Sequence, residues 1–457
     1  MTEERITELY NLCDPEEPLD PQDRRNVNIE EKFNEEPRGS SWVRDTLDRL
    51  RRAQKKRHTA FFCGLRGSGK STELRRLAAD AALPRNGSLL PVIIDAEGLL
   101  DLSATVDLPD VLLVMLYGVE REVMKLRGSD PGRAMQEGPF DRLWHWFTST
   151  EITLGDVEVN AGVEAGLPGG AKVTSGAKLA LALKERPSLR AAFRDRASAA
   201  FERFLGEVRG ELDRLVKQIV ETHHGVLVIL DSLEKLRGTS TTWKEVHASA
   251  EKVFRRIGEG LDLPVHAVYT VPPSLHQRLV IPGLHFMPMI KLHERVSGAP
   301  FDKGMQAARA LIRQRVPDRE LAELLGNTDV EERVTTLIKI SGGYPRELIR
   351  LLQDVVIAAP FQERRFQQIL ARAGDNVRAS VVTQEAVAVL ARVARYQTLT
   401  VPDELRPFVD ELLDNNVILR YQNQELWYEV HPAVIGLQAI QEELARLKRA
   451  DAAAGAP

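Results

Sequence analysis

From residue 64 the chain reads Gly64-Leu65-Arg66-Gly67-Ser68-Gly69-Lys70-Ser71-Thr72, a GxxxxGKS spacing of glycine, lysine and hydroxyl residues. Gly64, Gly67 and Gly69 let the backbone curl tightly enough for several N–H groups to face one phosphate chain, and the helix that follows adds its positive N-terminus. In such a loop Lys70 meets the β- and γ-phosphates of ATP, and Ser71 supplies a hydroxyl to Mg²⁺. The flanks agree. The apolar run Thr59-Ala60-Phe61-Phe62-Cys63 enters the loop, and Leu74, Leu77 and Ala78 recur after it at helical spacing. Strand, loop and helix in this order are what a P-loop requires.

A second set of residues completes that chemistry. Gly225 and the five apolar residues Val226-Leu227-Val228-Ile229-Leu230 would form a buried strand with Asp231 at its carboxyl end, where open α/β sheets bind ligands. There Asp231 binds Mg²⁺ through water. Glu234 would orient and deprotonate the attacking water, since phosphoryl transfer otherwise needs mainly positioning and charge neutralisation. A surface loop after a core strand also carries Asp and Glu, but beside a P-loop the metal and base roles are the stronger reading.

These residues need a scaffold. Apolar runs at 89–95, 225–230, 264–270 and 286–292, with helical patterns between, predict a parallel α/β sheet. The fold class expected is a P-loop NTPase sheet with a β-hairpin insertion, a helical lid and a C-terminal winged helix. Residues 1–40 show no apolar period and read as an irregular acidic arm; the nucleotide domain spans 41–296, with an insertion at 152–222. Within the insertion, 152–183 alternates short apolar and polar residues around Leu167-Pro168-Gly169-Gly170 and reads as a projecting hairpin, a contact for a protein partner or a second copy. Phe193, Ala197, Phe201, Phe204, Val208, Leu212, Leu215 and Ile219 then follow a near-heptad over 30 residues or so, either a coiled stalk or a helix packed on the sheet. Helices at 303–315 and 330–357 belong to a lid at 297–380. Helices at 384–395 and 403–415, then runs at 417–421 and 426–430 about a turn, give a winged helix at 381–450, with a frayed tail after it.

Composition narrows the function classes. With 457 residues, 43% hydrophobic content and a net charge of −4, the chain suits a folded globular protein with no global attraction for nucleic acid or an anionic membrane. Its longest apolar run, residues 111–117, is far short of the ~20 needed to cross a bilayer, and its first residues lack a signal peptide's pattern, so the cytoplasm is expected. The two cysteines, Cys13 and Cys63, cannot form a disulfide framework.

The pattern Asp231-Ser232-Leu233-Glu234-Lys235, with the acid three residues after the aspartate, resembles the Asp-x-Leu-Asp-[Glu/Arg] motif of STAND NTPases, including the NACHT and KAP groups. Val268-Tyr269-Thr270-Val271-Pro272 is similar to the next strand end of AAA+ relatives, and Thr270 matches their polar sensor. Gly342-Gly343-Tyr344-Pro345 resembles the Gly-x-Pro signature of STAND lids. Pro345 is the matched proline at a helix start near the nucleotide, and Arg346 lies near a second sensor that would read the γ-phosphate. The resemblance covers roughly 42–437 and implies a slow, ATP-dependent regulatory switch in signalling, often against phage. It departs from the family in the hairpin insertion and in lacking a visible repeat array or effector domain, which leaves sensing and output to partners. Two other readings stand beside it: a DNA-binding initiator or transcription regulator, and an assembly scaffold that binds nucleotide without turnover.

Charge separates these. Residues 381–457 carry seven Lys or Arg against eleven Asp or Glu, and the expected recognition helix holds Asp403, Glu404, Asp410, Glu411 and Asp414 against Arg406 alone. Phosphate binding is dominated by electrostatics, so the module suits a protein contact better than DNA. Arg255 and Arg256 are arginine-finger candidates or a solvated helix face, His223 and His224 lack metal-ligand spacing, and Trp144 and Trp146 suit packing.

Overall fold

The computed structural model describes residues 1–53, 56–128, 183–236, 238, 241–381, 383–423 and 425–453. The hairpin expected at 152–183, all but its last residue, and Trp144 and Trp146 lie outside them. Two compact units are present, one of Arg44–Phe62 and Leu77–His285, the other of Met1–Val43, Cys63–Arg76 and Phe286–Pro457.

The main sheet consists of β1 (Thr59–Gly64), β2 (Leu89–Asp95), β3 (Gly225–Asp231), β4 (His266–Val271) and β5 (Leu284–Met287), in the order β2-β3-β4-β1-β5. β2 pairs parallel to β3 and β3 to β4, with Asp95 opposite Asp231 and Leu230 opposite Tyr269. The strand entering the phosphate loop is thus internal, and the fold is that of a P-loop NTPase sheet. Val226 through Leu230 are fully buried, so β3 is a continuous apolar run because both of its faces are covered. On one face Phe61 stacks on Tyr269 with ring centroids 5.8 Å apart and meets Phe254 edge-on. Against β2 packs the helix Leu108–Leu126. At its Gly118 a Cβ would lie 2.2 Å from Ile94 Cδ1, so a larger residue there requires the Ile94 side chain to move.

The near-heptad run is not one helix. It breaks at Ala200 into Pro187–Ala199 and Phe201–Lys217, and both pieces pack on Leu108–Leu126, so the seam of Phe204, Val208, Leu212 and Leu215 is core and not a coiled stalk. Phe193 and Phe204 meet edge-on across the break, 5.8 Å apart.

In the second unit the helices Asp302–Arg313, Asp318–Leu325, Val330–Ile340, Pro345–Ile357 and Glu363–Arg372 enclose an apolar core. The amino-terminal segment enters that core and is not irregular throughout. It forms a helix at Glu3–Leu12, with Thr2 as its cap, and buries Leu9, Cys13, Val27 and Ile29. Four scattered apolar anchors in a charged stretch leave no period to read. The expected strand at 286–292 is also different: it ends at Met287, and beyond it Met289, Ile290 and Lys291 donate backbone bonds to Arg420, Gly343 and Pro37 in turn. The helical pattern at 330–357 is cut at 341–344, where Gly342 and Gly343 have φ of +61° and +70°.

The C-terminal part of this unit contains helices Gln384–Tyr396 and Arg406–Asp414, an antiparallel pair β6 (Ile418–Gln422) and β7 (Leu426–Val430), and a helix Gln438–Ala453 that packs on the first. Tyr421 stacks on buried Trp427 at 4.6 Å. That last helix carries into the stretch expected to fray. Among the described residues no helix is long and apolar enough to cross a membrane.

Candidate functional site

The phosphate loop belongs to the second unit. Gly67 and Gly69 adopt φ of +74° and +100°, a region that L side chains avoid. At Gly67 space is also lacking, because a Cβ would lie 2.5 Å from Arg346 Cβ and 2.7 Å from Tyr344 Cε2. Ser68 N–H donates to Leu65 O at 3.2 Å and closes the turn. Lys70 is buried, and its ammonium donates to Gly64 O at 3.0 Å and Leu65 O at 3.3 Å, which holds the charge inside the curl of the loop. The helix Lys70–Ala81 starts at this lysine. Ser71 therefore lies in the first turn, where helical N–H groups have no intrahelical acceptor. Left-handed glycines, a buried ammonium and a helix N-terminus together fit a nucleotide's phosphates. Thr72, which closes the motif, accepts the Leu19 N–H on its Oγ1 at 3.2 Å.

The lid motif meets this loop within the same unit. Tyr344 is extended and Pro345 occupies the first helical position, where its missing N–H costs no bond. Arg346 N–H then donates to Gly67 O at 3.3 Å, and its guanidinium lies 3.2 Å from the Glu16 carboxylate. A residue the motifs did not flag joins them. Asn416, in the left-handed region at φ +57°, donates from Nδ2 to Arg66 O at 3.2 Å and to Tyr344 Oη at 3.0 Å. Burial pushes the Tyr344 phenol up to about 12, so it stays protonated. Arg38 is a second residue the motifs did not mark, buried and 2.8 Å from Ser68 O. Asn415-Asn416 before a strand was a turn signal; Arg38, one charge in a charged segment, gave none.

The first unit holds Asp231, Glu234 and Thr270. Asp231 ends β3 and accepts the Ser232 N–H on Oδ1 at 2.8 Å. Ser232 takes φ +68°, an uncommon geometry for a residue with a Cβ, and turns the chain into the single turn Leu233–Lys235, where Glu234 is buried. Lys235 reaches out to pair with Glu97. Thr270 has no exposed surface. Its hydroxyl accepts the Leu233 N–H at 2.9 Å and donates to Leu230 O at 3.2 Å, so it holds the turn that carries Asp231 and Glu234 in place of presenting a polar group outward. Arg255 is bonded to Glu251 and Arg278 O, and Arg256 to Glu259 and Glu202, the pattern of a solvated helix face. Among the described residues no cluster of three or more His, Cys, Asp and Glu is suited to a metal.

No family model and no curated protein sequence matches the chain. Among solved structures it is similar to the ORC2 protein of Aeropyrum pernix in its ADPNP–ADP complexes, at 13% identity and a TM-score of 0.40 over 97% of this chain and 98% of that one. The Walker-type ATPase of Pyrococcus abyssi gives 14% identity and a TM-score of 0.40 over 95% and 99%. Cdc6p of Pyrobaculum aerophilum gives 11% and 0.36 over 96% and 98%.

Proposed function

We propose that this protein is an ATP-binding regulatory switch with slow hydrolysis, of the STAND type. The observation that carries this reading is the bonding of the phosphate loop to two other elements of its unit: Gly67 O to the first turn of the lid helix, and Arg66 O to Asn416 of the C-terminal module. A ligand that reshapes the loop acts on both bonds, which is what a switch needs and a plain hydrolase does not. The Asp231 to Glu234 spacing and the Tyr344-Pro345 lid support the STAND assignment, and with it a place in prokaryotic signalling or antiphage defence, in the cytoplasm and through a protein partner or a second copy.

Gly64, Gly67, Gly69 and Lys70 would hold the phosphates of ATP, and Ser71 and Asp231 the Mg²⁺, which supplies charge neutralisation on the transferred phosphoryl group. Glu234 takes the proton of the attacking water, and its burial beside β3 limits its motion. Thr270 keeps that turn in register, and Arg346 would read the third phosphate.

Calorimetric titration with MgATP tests the site. Wild type binds, Lys70→Ala weakens binding by about tenfold or more, and Glu234→Gln binds but releases no phosphate. Unchanged affinity in Lys70→Ala sinks the site; wild-type turnover in Glu234→Gln removes the base assignment alone.

A further inference from the structure

We infer that Arg38 is a positioning residue of the phosphate loop: its guanidinium holds the Ser68 carbonyl so that the Gly69 N–H faces the phosphate. The inference rests on the reading of that loop as a nucleotide site. Arg38 Nη2 donates to Ser68 O at 2.8 Å, and its side chain is only 4% exposed. The peptide joining Ser68 to Gly69 is planar and trans, so its C=O and N–H point in opposite directions. Fixing the carbonyl on Arg38 therefore aims the Gly69 N–H away from Arg38. Gly69 is the residue at φ +100° on which the turn depends, and a Cβ added there would stand 3.5 Å from Met287 Cε and 3.6 Å from Arg38 Nη2, so the guanidinium lies close beside it.

The surrounding charges argue against a merely structural tie. The amino-terminal segment is already fastened to the loop helix without Arg38: Arg76 pairs with Glu30 at 2.6 Å and with Glu73, Arg75 pairs with Asp20 at 2.9 Å, and Thr72 takes the Leu19 N–H. Arg38 itself makes only a loose pair with Glu73, at 3.6 Å, and its buried Nε has no hydrogen-bond acceptor. Taking a guanidinium out of water is costly, and well-packed apolar residues often stabilise such positions equally well. What an apolar residue cannot supply is a directed donor on Ser68 O and a positive charge beneath the phosphates.

The test measures affinity for ADP and ATP by calorimetry, and melting without nucleotide, in the full chain. Arg38→Met should lower affinity for both nucleotides about ten- to hundredfold, the loss of one charge-assisted hydrogen bond, and Arg38→Lys should fall between it and wild type. Glu73→Gln keeps the Ser68 bond and should bind within about threefold of wild type. Should Arg38→Met fail to fold, Arg38→Met/Glu73→Gln, which leaves the Arg76–Glu30 pair intact, takes its place. Wild-type affinity in a folded Arg38→Met overturns the assignment, and so does a loss in Glu73→Gln as large as that in Arg38→Met. A wild-type protein that binds neither nucleotide overturns the nucleotide reading itself, before Arg38 is in question.

Discussion

The Leu233 amide donates to the Thr270 hydroxyl at 2.9 Å, and that hydroxyl in turn donates to Leu230 O at 3.2 Å. One side chain on β4 thus ties both sides of the turn that carries Asp231, across a Ser232 held at φ +68°. Thr270→Val keeps the shape but leaves a buried N–H unpaired, which costs about 1–3 kcal/mol. We expect that loss in denaturant unfolding, with hydrolysis falling at least tenfold and ATP affinity changing less than about fivefold; Thr270→Ser should retain both bonds. Full hydrolysis in Thr270→Val would show that the turn holds itself.

Gly343 gives a prediction about the break between the helices Val330–Ile340 and Pro345–Ile357. At φ +70°, a Cβ there would lie 1.9 Å from Ile290 O, a backbone atom already accepting no slack because Ile290 N–H donates to Gly343 O at 3.0 Å. Gly343→Ala should therefore destabilise by more than the ~1 kcal/mol of left-handed strain alone. Gly87→Ala is the comparison: its φ is +109° but nothing lies within 4 Å, so it carries strain without collision. Equal melting temperatures for the two variants would mean that the 290–343 contact yields.

These cases show what could be read in advance. β2 and β7 have the bounds their apolar runs suggest, and the loop glycines and Lys70 fall where GxxxxGKS places them, because periodicity and left-handed turns are local properties. Partners distant in sequence are not local. Nothing near Arg38 announces Ser68, and nothing near Thr270 announces that its hydroxyl closes on Leu233 and Leu230. The break at Ala200 escaped for a related reason: a heptad continues in register through a kink when both halves pack on the same neighbour, here the helix Leu108–Leu126.

Acid should weaken the protein through His431. Burial, with Arg350 and Arg378 adding repulsion, lowers this imidazole from its ordinary 6.5 to about 4, while Nδ1 accepts the Ala433 N–H at 3.1 Å. The folded state therefore refuses a proton that the unfolded chain accepts. Its contribution is intact above 6.5 and is lost as pH falls from there through 4, roughly 2–3 kcal/mol by pH 4.5. His293 has the opposite sign: its bond to Glu429 at 3.0 Å raises its value, so that pair stabilises in acid and fades as pH rises. His431→Asn keeps an acceptor for the cap without a titrating group, and unfolding measured between pH 7 and about 4.5 should be correspondingly flatter. An acid limb identical to wild type would assign the titration elsewhere.

The helix Arg406–Asp414 should not read DNA. It buries Val409, Leu412, Leu413 and Asp410, which leaves Glu411 outward together with Asp403 and Glu404 just before it. The single exposed cation, Arg406, already pairs with Asp403 at 3.1 Å. A recognition helix must first approach phosphates, and each neutralised phosphate contributes through counterion release, so an acidic face repels the duplex before any base is reached. Fluorescence anisotropy of the full chain with duplex DNA at physiological salt should show no sequence preference that depends on this helix. Replacing Asp403, Glu404 and Glu411 by Lys should create salt-sensitive, non-specific binding, with a slope set by the added charges. Specific binding by wild type that is abolished by Glu404→Ala or Glu411→Ala would restore the initiator reading and displace the protein-contact role of the C-terminal module.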